Sequence, residues 1–282
     1  MTVYDLHSHS TASDGRLTPA QLLAEASRQG VDVLALTDHD TLDGLDEAAG
    51  AAESSGLRLI PGVEISVTWR ARLFHIVGLG VDRNDAALRH GLTGLRGQRE
   101  RRAERMAVKL AQAGIPEPLA GARRYQTTRI LSRTHFAHYL AEIGAADSIE
   151  QAFDRYLYPG RPGYVAMEWA TLKEAIGWIK GAGGVAVVAH PGRYRLDAIE
   201  MESFLRAFVD AGGGAIEVVY AALAAEQVRR FSHYARRFGL FASLGSDFHR
   251  QGTERCLGRL PPLPADLTPV WQAPELSRSA QG

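Results

Sequence analysis

The chain has 282 residues and carries 32 basic and 32 acidic side chains, a balance that excludes a protein coating nucleic acid through its net charge. With 45% hydrophobic and 23% charged residues it can bury a large core and is not a disordered chain. One cysteine, Cys256, excludes an internal disulfide and a thiolate-built zinc site and fits a reducing compartment. The opening MTVYDLHSHS holds no apolar leader core, and no run reaches the roughly 18 apolar residues of a membrane span. The expectation is a cytoplasmic chain, with no membrane and no protein partner implied.

In chain order, Val3–Leu6 reads as a short strand. Thr18-Pro19 reads as a helix N-cap followed by proline at the first helical position, with Gly30 as the stop. Val31–Thr37 is a buried-strand run, Asp43–Ser55 a helix, and Leu57–Val67 and Leu73–Leu79 two more strands. From Asn84 to Tyr164 the rhythm breaks: Asn84–Gly114 predicts one long polar helix, and Ile130–Ile143 and Ile149–Leu157 two more, with no strand among them. The alternation then resumes with a helix near Leu172–Ala182, strand Val185–Ala189 and a helix near Ala198–Ala211. Strand Ala215–Tyr220, helix Ala224–Phe238 and strand Leu240–Gly245 follow. Seven strands alternating with helices imply an α/β fold with a mostly parallel sheet, whose natural closed form is a barrel. Residues 1–83 and 164–282 are expected to form it, with 84–163 as a helical insertion covering the site. The proline-rich tail after Pro261 is expected to be loosely ordered.

The chemistry gathers at predicted strand ends. His7 and His9, one residue apart, point the same way along a strand and can share one metal. Thr37-Asp38-His39-Asp40 ends the second strand run, Ala189-His190-Pro191 ends VAVVA, and Gly245-Ser246-Asp247-Phe248-His249 ends another. Glu64 and His75 stand inside apolar strands, where a lone polar group would be costly. In a parallel barrel the C-terminal strand ends share one face, where active sites form. Imidazole and carboxylate without thiolate suit Zn, Mn, Fe or Co, and more than four ligands argue for several ions. Clustered ions clamp phosphate and yield a hydroxide nucleophile at neutral pH.

The set HSHSTASDG, TDHD, GVEIS, His75, AHP and GSDFH resembles the polymerase and histidinol phosphatase (PHP) family over Val3–Arg83 and Tyr164–His249. It is most similar to members that hydrolyse nucleoside 3′,5′-bisphosphates and to related 5′–3′ exoribonucleases. The resemblance implies a distorted seven-stranded (β/α)7 barrel of PHP type and three divalent ions, manganese foremost, with zinc or iron as alternatives. It implies that His7, His9, Glu64 and Asp247 hold one ion, that Glu64 bridges to a second held by His75 and His190, and that Asp14, His39 and His249 hold a third. Ser132-Arg133-Thr134-His135 resembles the segment in which the family's Arg and His approach substrate, and Arg161 is a weaker candidate of that kind. The catalytic assignment is Asp247, His135 and Glu64.

The implied reaction is removal of the 3′-phosphate from a bisphosphate such as 3′,5′-adenosine bisphosphate by a metal-bound hydroxide, giving a 5′-nucleotide and phosphate. Alternatives are 5′–3′ cleavage of short oligonucleotides, histidinol phosphate hydrolysis, and a nucleotide-binding module without turnover. Asp38 and Asp40 can orient His39, or Asp40 can cap the next helix. Glu217 can support a ligand or pair with an arginine. The run Arg96, Arg99, Arg101, Arg102, Arg105, with Glu100 and Glu104 interleaved, reads as a solvated helix face. Gly181–Gly184 follows a helix and precedes a strand, the reverse of a dinucleotide loop.

Overall fold

A computed structural model describes residues 2–126, 131–221, 223–252 and 256–278. Its contacts divide the chain into two compact units, Met1–Thr93 with Trp169–Gly282, and Gly94–Glu168.

In the first unit the strands are β1 (Tyr4–Asp5), β2 (Val33–Leu36), β3 (Arg58–Trp69), β4 (Arg72–Leu79), β5 (Ala170–Thr171), β6 (Val185–Val188), β7 (Ala215–Tyr220) and β8 (Phe241–Gly245). They hydrogen-bond in the order β1-β2-β3-β4-β6-β7-β8, with β5 paired to β3. Leu6 N donates to Leu244 O at 3.1 Å and Asp247 N to His7 O at 2.9 Å, which joins the two ends into a nearly closed barrel. The seven predicted strands are all present. β5 was not predicted, because two residues carry no periodicity. β4 is antiparallel to both β3 and β6, so its N-terminal end reaches the face where parallel strands end. That is why His75 lies in the N-terminal half of its strand, whereas His39, His190 and Asp247 follow the strands before them.

Helices α1 (Pro19–Arg28), α2 (Leu45–Ser55), α7 (Leu172–Gly181), α8 (Ala198–Asp210) and α9 (Ala225–Phe238) cover the sheet. The Thr18 hydroxyl accepts from Gln21 N at 3.3 Å and the Gln21 side chain accepts from Thr18 N at 3.0 Å, a capping box that starts α1 where the sequence predicts. Alternate strand residues Val33, Ala35, Val77, Leu79, Val185, Val187 and Ala215 form one interior cluster.

The tail differs from its expectation. Val270 and Leu276, the latter in α10 (Pro274–Arg278), are buried in that same cluster. Trp271 stacks on Tyr4 with ring centroids 4.0 Å apart, and Ala242 N donates to Thr268 O at 2.9 Å. Proline-rich composition therefore describes a segment that fixes its own backbone while it seals the barrel.

The second unit is helical. Its helices are the C-terminal part of α3 (Ala86–Gln112), α4 (Pro118–Arg124), α5 (Arg133–Glu142) and α6 (Ile149–Ala152), the last continuing as a π-turn over Phe153–Leu157. Met106, Leu110, Phe136 and Leu140 centre its own core. The predicted start at Ile130 lies outside the described residues. α4 was not among the predicted helices; it starts with proline at its first turn, where a missing N–H costs nothing. Among the described residues no helix is long and apolar enough to cross a membrane.

Leu276→Ala is expected to cost about 2–5 kcal/mol, the range for emptying a buried leucine site, measured by urea denaturation. A change below about 0.5 kcal/mol would restore the loosely ordered tail.

Candidate metal centre

The site is built around one buried carboxylate. β3 runs past the end of β2, and an isolated bridge pairs His39 with Glu64 just beyond it. Glu64 Oε2 lies 3.3 Å from His7 Nε2, 3.2 Å from His9 Nε2 and 3.0 Å from His39 Nδ1. Its Oε1 lies 2.9 Å from both His75 Nδ1 and His190 Nε2. Burial alone would raise the Glu64 pKa, but the positive charges of His39, His75 and His7 hold it well below the usual carboxylate range.

Three groups of side chains converge closely enough to share an ion. The first is His7, His9, Glu64 and Asp247. Five separations among their ligand atoms fall between 3.1 and 3.5 Å. Four ligands held tetrahedrally at about 2.0–2.1 Å would stand about 3.3–3.4 Å apart. The second group is His9, Asp14, His39 and His249, with His249 Nε2 at 3.4 Å and His39 Nε2 at 3.8 Å from the Asp14 carboxylate. The third is His39, Glu64 and His75. His190 joins the centre through Glu64 Oε1. All nine predicted ligands thus lie in one cluster, with His9, His39 and Glu64 each shared between two groups.

Surrounding bonds set which imidazole nitrogen faces the centre. His7 Nδ1 is 2.6 Å from Glu217 Oε1, and a carboxylate can only accept, so Nδ1 carries the proton and Nε2 turns inward. His249 Nδ1 donates to Asp247 O at 2.9 Å, which likewise leaves Nε2 toward Asp14. Glu217 also accepts from His190 N. Of its two sequence readings it takes the supporting one, and its partners are histidines. Asp38 accepts from Ser10 N at 2.8 Å, Ser10 Oγ at 2.6 Å and Ser13 Oγ at 2.6 Å, so it clamps the loop after His9. Asp40 accepts from Ser66 N at 2.7 Å. It does not cap α2, whose N-cap is Gly44 with no side-chain bond.

The backbone is held away from relaxed conformations here. Asp40, His190 and Asp247 have φ of 50°, 28° and 52°, a region costly for residues with a Cβ and common at functional sites. Close approaches add to this. A Cβ on Gly245 would lie 2.3 Å from His7 Cβ, and one on Gly15 would lie 2.3 Å from His9 O.

The donor set fits divalent cations. Glu64 Oε2 and His9 Nδ1 are buried without a hydrogen-bond partner, and such orphaned atoms are expensive unless a cation or a proton serves them. Burial would raise the Asp247 pKa, yet neighbouring imidazolium charges depress it well below the ordinary range, and the charges of His39 and His249 lower that of Asp14, whose side chain is exposed. Burial would lower the His7 pKa, but Glu217, Glu64 and Asp247 raise it well above normal. The carboxylates thus demand positive charge at the cluster.

One neighbour escaped the sequence reading. Arg193 pairs with Asp247 Oδ2, the oxygen turned away from the four-residue group. Its position three residues after His190, on a short 3-10 turn, was its only signal. In the helical unit, His135 Nδ1 accepts from Ser132 N at 2.9 Å, so its Nε2 bears the hydrogen. Arg133 is half-buried with Cζ 6.0 Å from the Phe153 ring centre, and Arg161 lies exposed on the turn where its N donates to Tyr158 O at 3.0 Å.

With this geometry in place, comparisons with known proteins are specific. A family model for the PHP domain matches residues 5–220. A 3′,5′-nucleoside bisphosphate phosphatase from Chromobacterium violaceum is 44% identical over 274 residues, 96% of each chain. A 5′-3′ exoribonuclease from Haemophilus influenzae is 41% identical over 269 residues, 95% of this chain and 98% of its own. The structure of an amidohydrolase from Chromobacterium violaceum, with bound sulfate and no metal, superposes with a TM-score of 0.88 at 43% identity, covering 99% of this chain and 97% of that one.

Gly245→Ala is expected to displace His7 and at least halve the divalent metal retained per chain, read by elemental analysis after dialysis. Gly50→Ala, where a Cβ meets nothing within 4 Å, serves as the control. Equal metal content in both variants would mean that His7 does not need its observed position.

Proposed function

The chain belongs to the PHP domain family, and on that footing we propose that it is a metal-dependent phosphohydrolase that removes the 3′-phosphate from nucleoside 3′,5′-bisphosphates. The products are a 5′-nucleotide and orthophosphate. The observation that carries this reading is the buried Glu64 carboxylate with imidazoles on both oxygens, in a chain 44% identical to a bisphosphate phosphatase. The sulfate held by its structural relative has the shape and charge of a phosphate, which supports an oxyanion as ligand. Cleavage of short oligonucleotides from the 5′ end is the second reading, favoured by the exoribonuclease relative. Histidinol phosphate carries one phosphate and gives no role to a further arginine.

His7, His9, Asp14, His39, Glu64, His75, His190, Asp247 and His249 would hold three divalent ions, manganese foremost. Bound there, such ions supply charge to phosphoryl oxygens and acidity to a water. The protein's own groups do the rest. Glu217 keeps the His7 Nδ1 proton and so leaves Nε2 as a lone-pair donor. Arg193 holds Asp247 Oδ2 and keeps Oδ1 toward His7 and His9. His135, with hydrogen on Nε2, is suited to donate to the leaving 3′-oxygen, and Arg133 and Arg161 are assigned to the substrate's phosphates.

Phosphate release with Mn is expected to be fastest from 3′,5′-adenosine bisphosphate, with 5′-AMP as product. Shortening of a 5′-phosphorylated RNA pentamer without bisphosphate turnover would move the function to the exonuclease, and turnover of histidinol phosphate alone would overturn the substrate class. His9→Ala and Asp247→Ala are each expected to lose metal and at least about 100-fold in kcat/KM. Chelation should abolish turnover and added Mn restore it; activity surviving exhaustive chelation would sink the mechanism.

A further inference from the structure

The antiparallel ladder between β4 and β6 is missing one direct rung at the metal centre. Its register pairs Leu79 with Val185, Gly78 with Ala186, Val77 with Val187 and Ile76 with Val188, so the next pair is His75 with Ala189. Every second pair of such a ladder exchanges two backbone bonds. This is one of them, since Ala189 N donates to His75 O at 3.2 Å. The return bond is not direct. His75 N donates to the Tyr194 hydroxyl at 3.0 Å, and that hydroxyl donates to Ala189 O at 2.8 Å. The other acceptor in reach, His75 O, stands farther off at 3.3 Å, and a phenol has one proton to give.

The hydroxyl is thus spliced into the sheet as its last rung. A direct rung spans about 2.9 Å; here an oxygen with a bond on each side takes its place, and β4 and β6 part at the rim. His75 stands on one strand at the parting, and His190 follows Ala189 on the other. Both imidazoles reach Glu64 Oε1, each at 2.9 Å. Tyr194 ends the short turn Pro191–Tyr194 that follows His190, so one side chain ties that turn to both strands. Its ring is held from behind, with its centre 4.4 Å from that of Phe74, which stacks on Phe204 at 4.3 Å. Ladders close without such an insert; what the insert sets is the spacing of the two histidines.

We propose that Tyr194 is a positioning residue for the divalent ion assigned to Glu64, His75 and His190. Its hydroxyl fixes how far apart β4 and β6 stand at the rim, and with that the span between the two imidazoles. The inference rests on the metal reading above. Without the hydroxyl, His75 N and Ala189 O either close to a direct bond, which draws His75 toward the other strand, or are left without a partner.

Tyr194→Phe removes the hydroxyl and keeps the ring. The test titrates Mn calorimetrically into the metal-free full chain. Wild type is expected to bind more than one ion, and Tyr194→Phe to lose about 10- to 100-fold in affinity for one of them, the usual effect of removing a group that orients a ligand. Phe208→Leu in α8 thins the packing against Phe204 and leaves the hydroxyl in place. It is expected to lower the melting temperature with Mn affinities unchanged. Wild-type affinities in Tyr194→Phe, or an equal loss in both variants, would overturn the positioning role. Hydrogen exchange in the wild type tests the rung itself and does not depend on a variant that folds. The His75 amide is expected to be protected like those inside the strand, and exchange at the rate of an exposed amide would overturn the inference. A wild type that binds no Mn would overturn the metal reading instead.

Discussion

Everything in the barrel's upper face answers to one constraint, a fully buried carboxylate that must not be left without positive charge. Glu64 cannot sit in an apolar strand unless its oxygens are served, and five imidazoles arrive from different parts of the chain to serve them. The topology follows from this demand. β3 extends past β2 to carry Glu64 to the rim, and β4 doubles back antiparallel so that His75 meets the same carboxylate. His190 and Asp247 take up strained backbone angles shortly after their strands.

A second set of buried acids holds that arrangement rigid without facing the centre. Glu217 joins the His7 ring to the His190 backbone. Asp38 gathers the Ser10–Ser13 turn. Asp5 accepts from Ser246 N at 2.8 Å and Gly258 N at 3.0 Å. Burial pushes Asp5 up to about 6, with these backbone bonds opposing the rise. Each acid spends its acceptors on a neighbouring segment, so the ligand loops cannot move independently. Rigidity of this kind is what a multi-ion site needs, since a small misplacement of one donor is felt by every ion that shares it.

The sequence made the barrel and the ligands legible for a common reason. Apolar runs of strand length are local signals, and motifs such as HSHS and GSDFH sit where those runs end. What stayed hidden depends on contacts distant in sequence. β5 exists only because β3 overhangs, and the tail is ordered only because Tyr4 and the barrel floor receive Trp271 and Val270. Glu217 was noticed, yet only the fold could decide between an arginine and a histidine as partner. Arg193 had no motif around it.

The net charge of zero hides a division of labour. Residues 94–168 hold 12 basic against 8 acidic side chains, which leaves 20 against 24 in the rest of the chain. The rest of the chain therefore carries the excess of acids, and Asp5, Asp38, Asp40, Glu64, Glu217 and Asp247 among them are buried. The helical unit is a cation, and its half-buried Arg102 donates from Nε to Val165 O at 3.0 Å. Neither unit is electrostatically content by itself. A cluster of divalent ions would relieve the buried acids of the first.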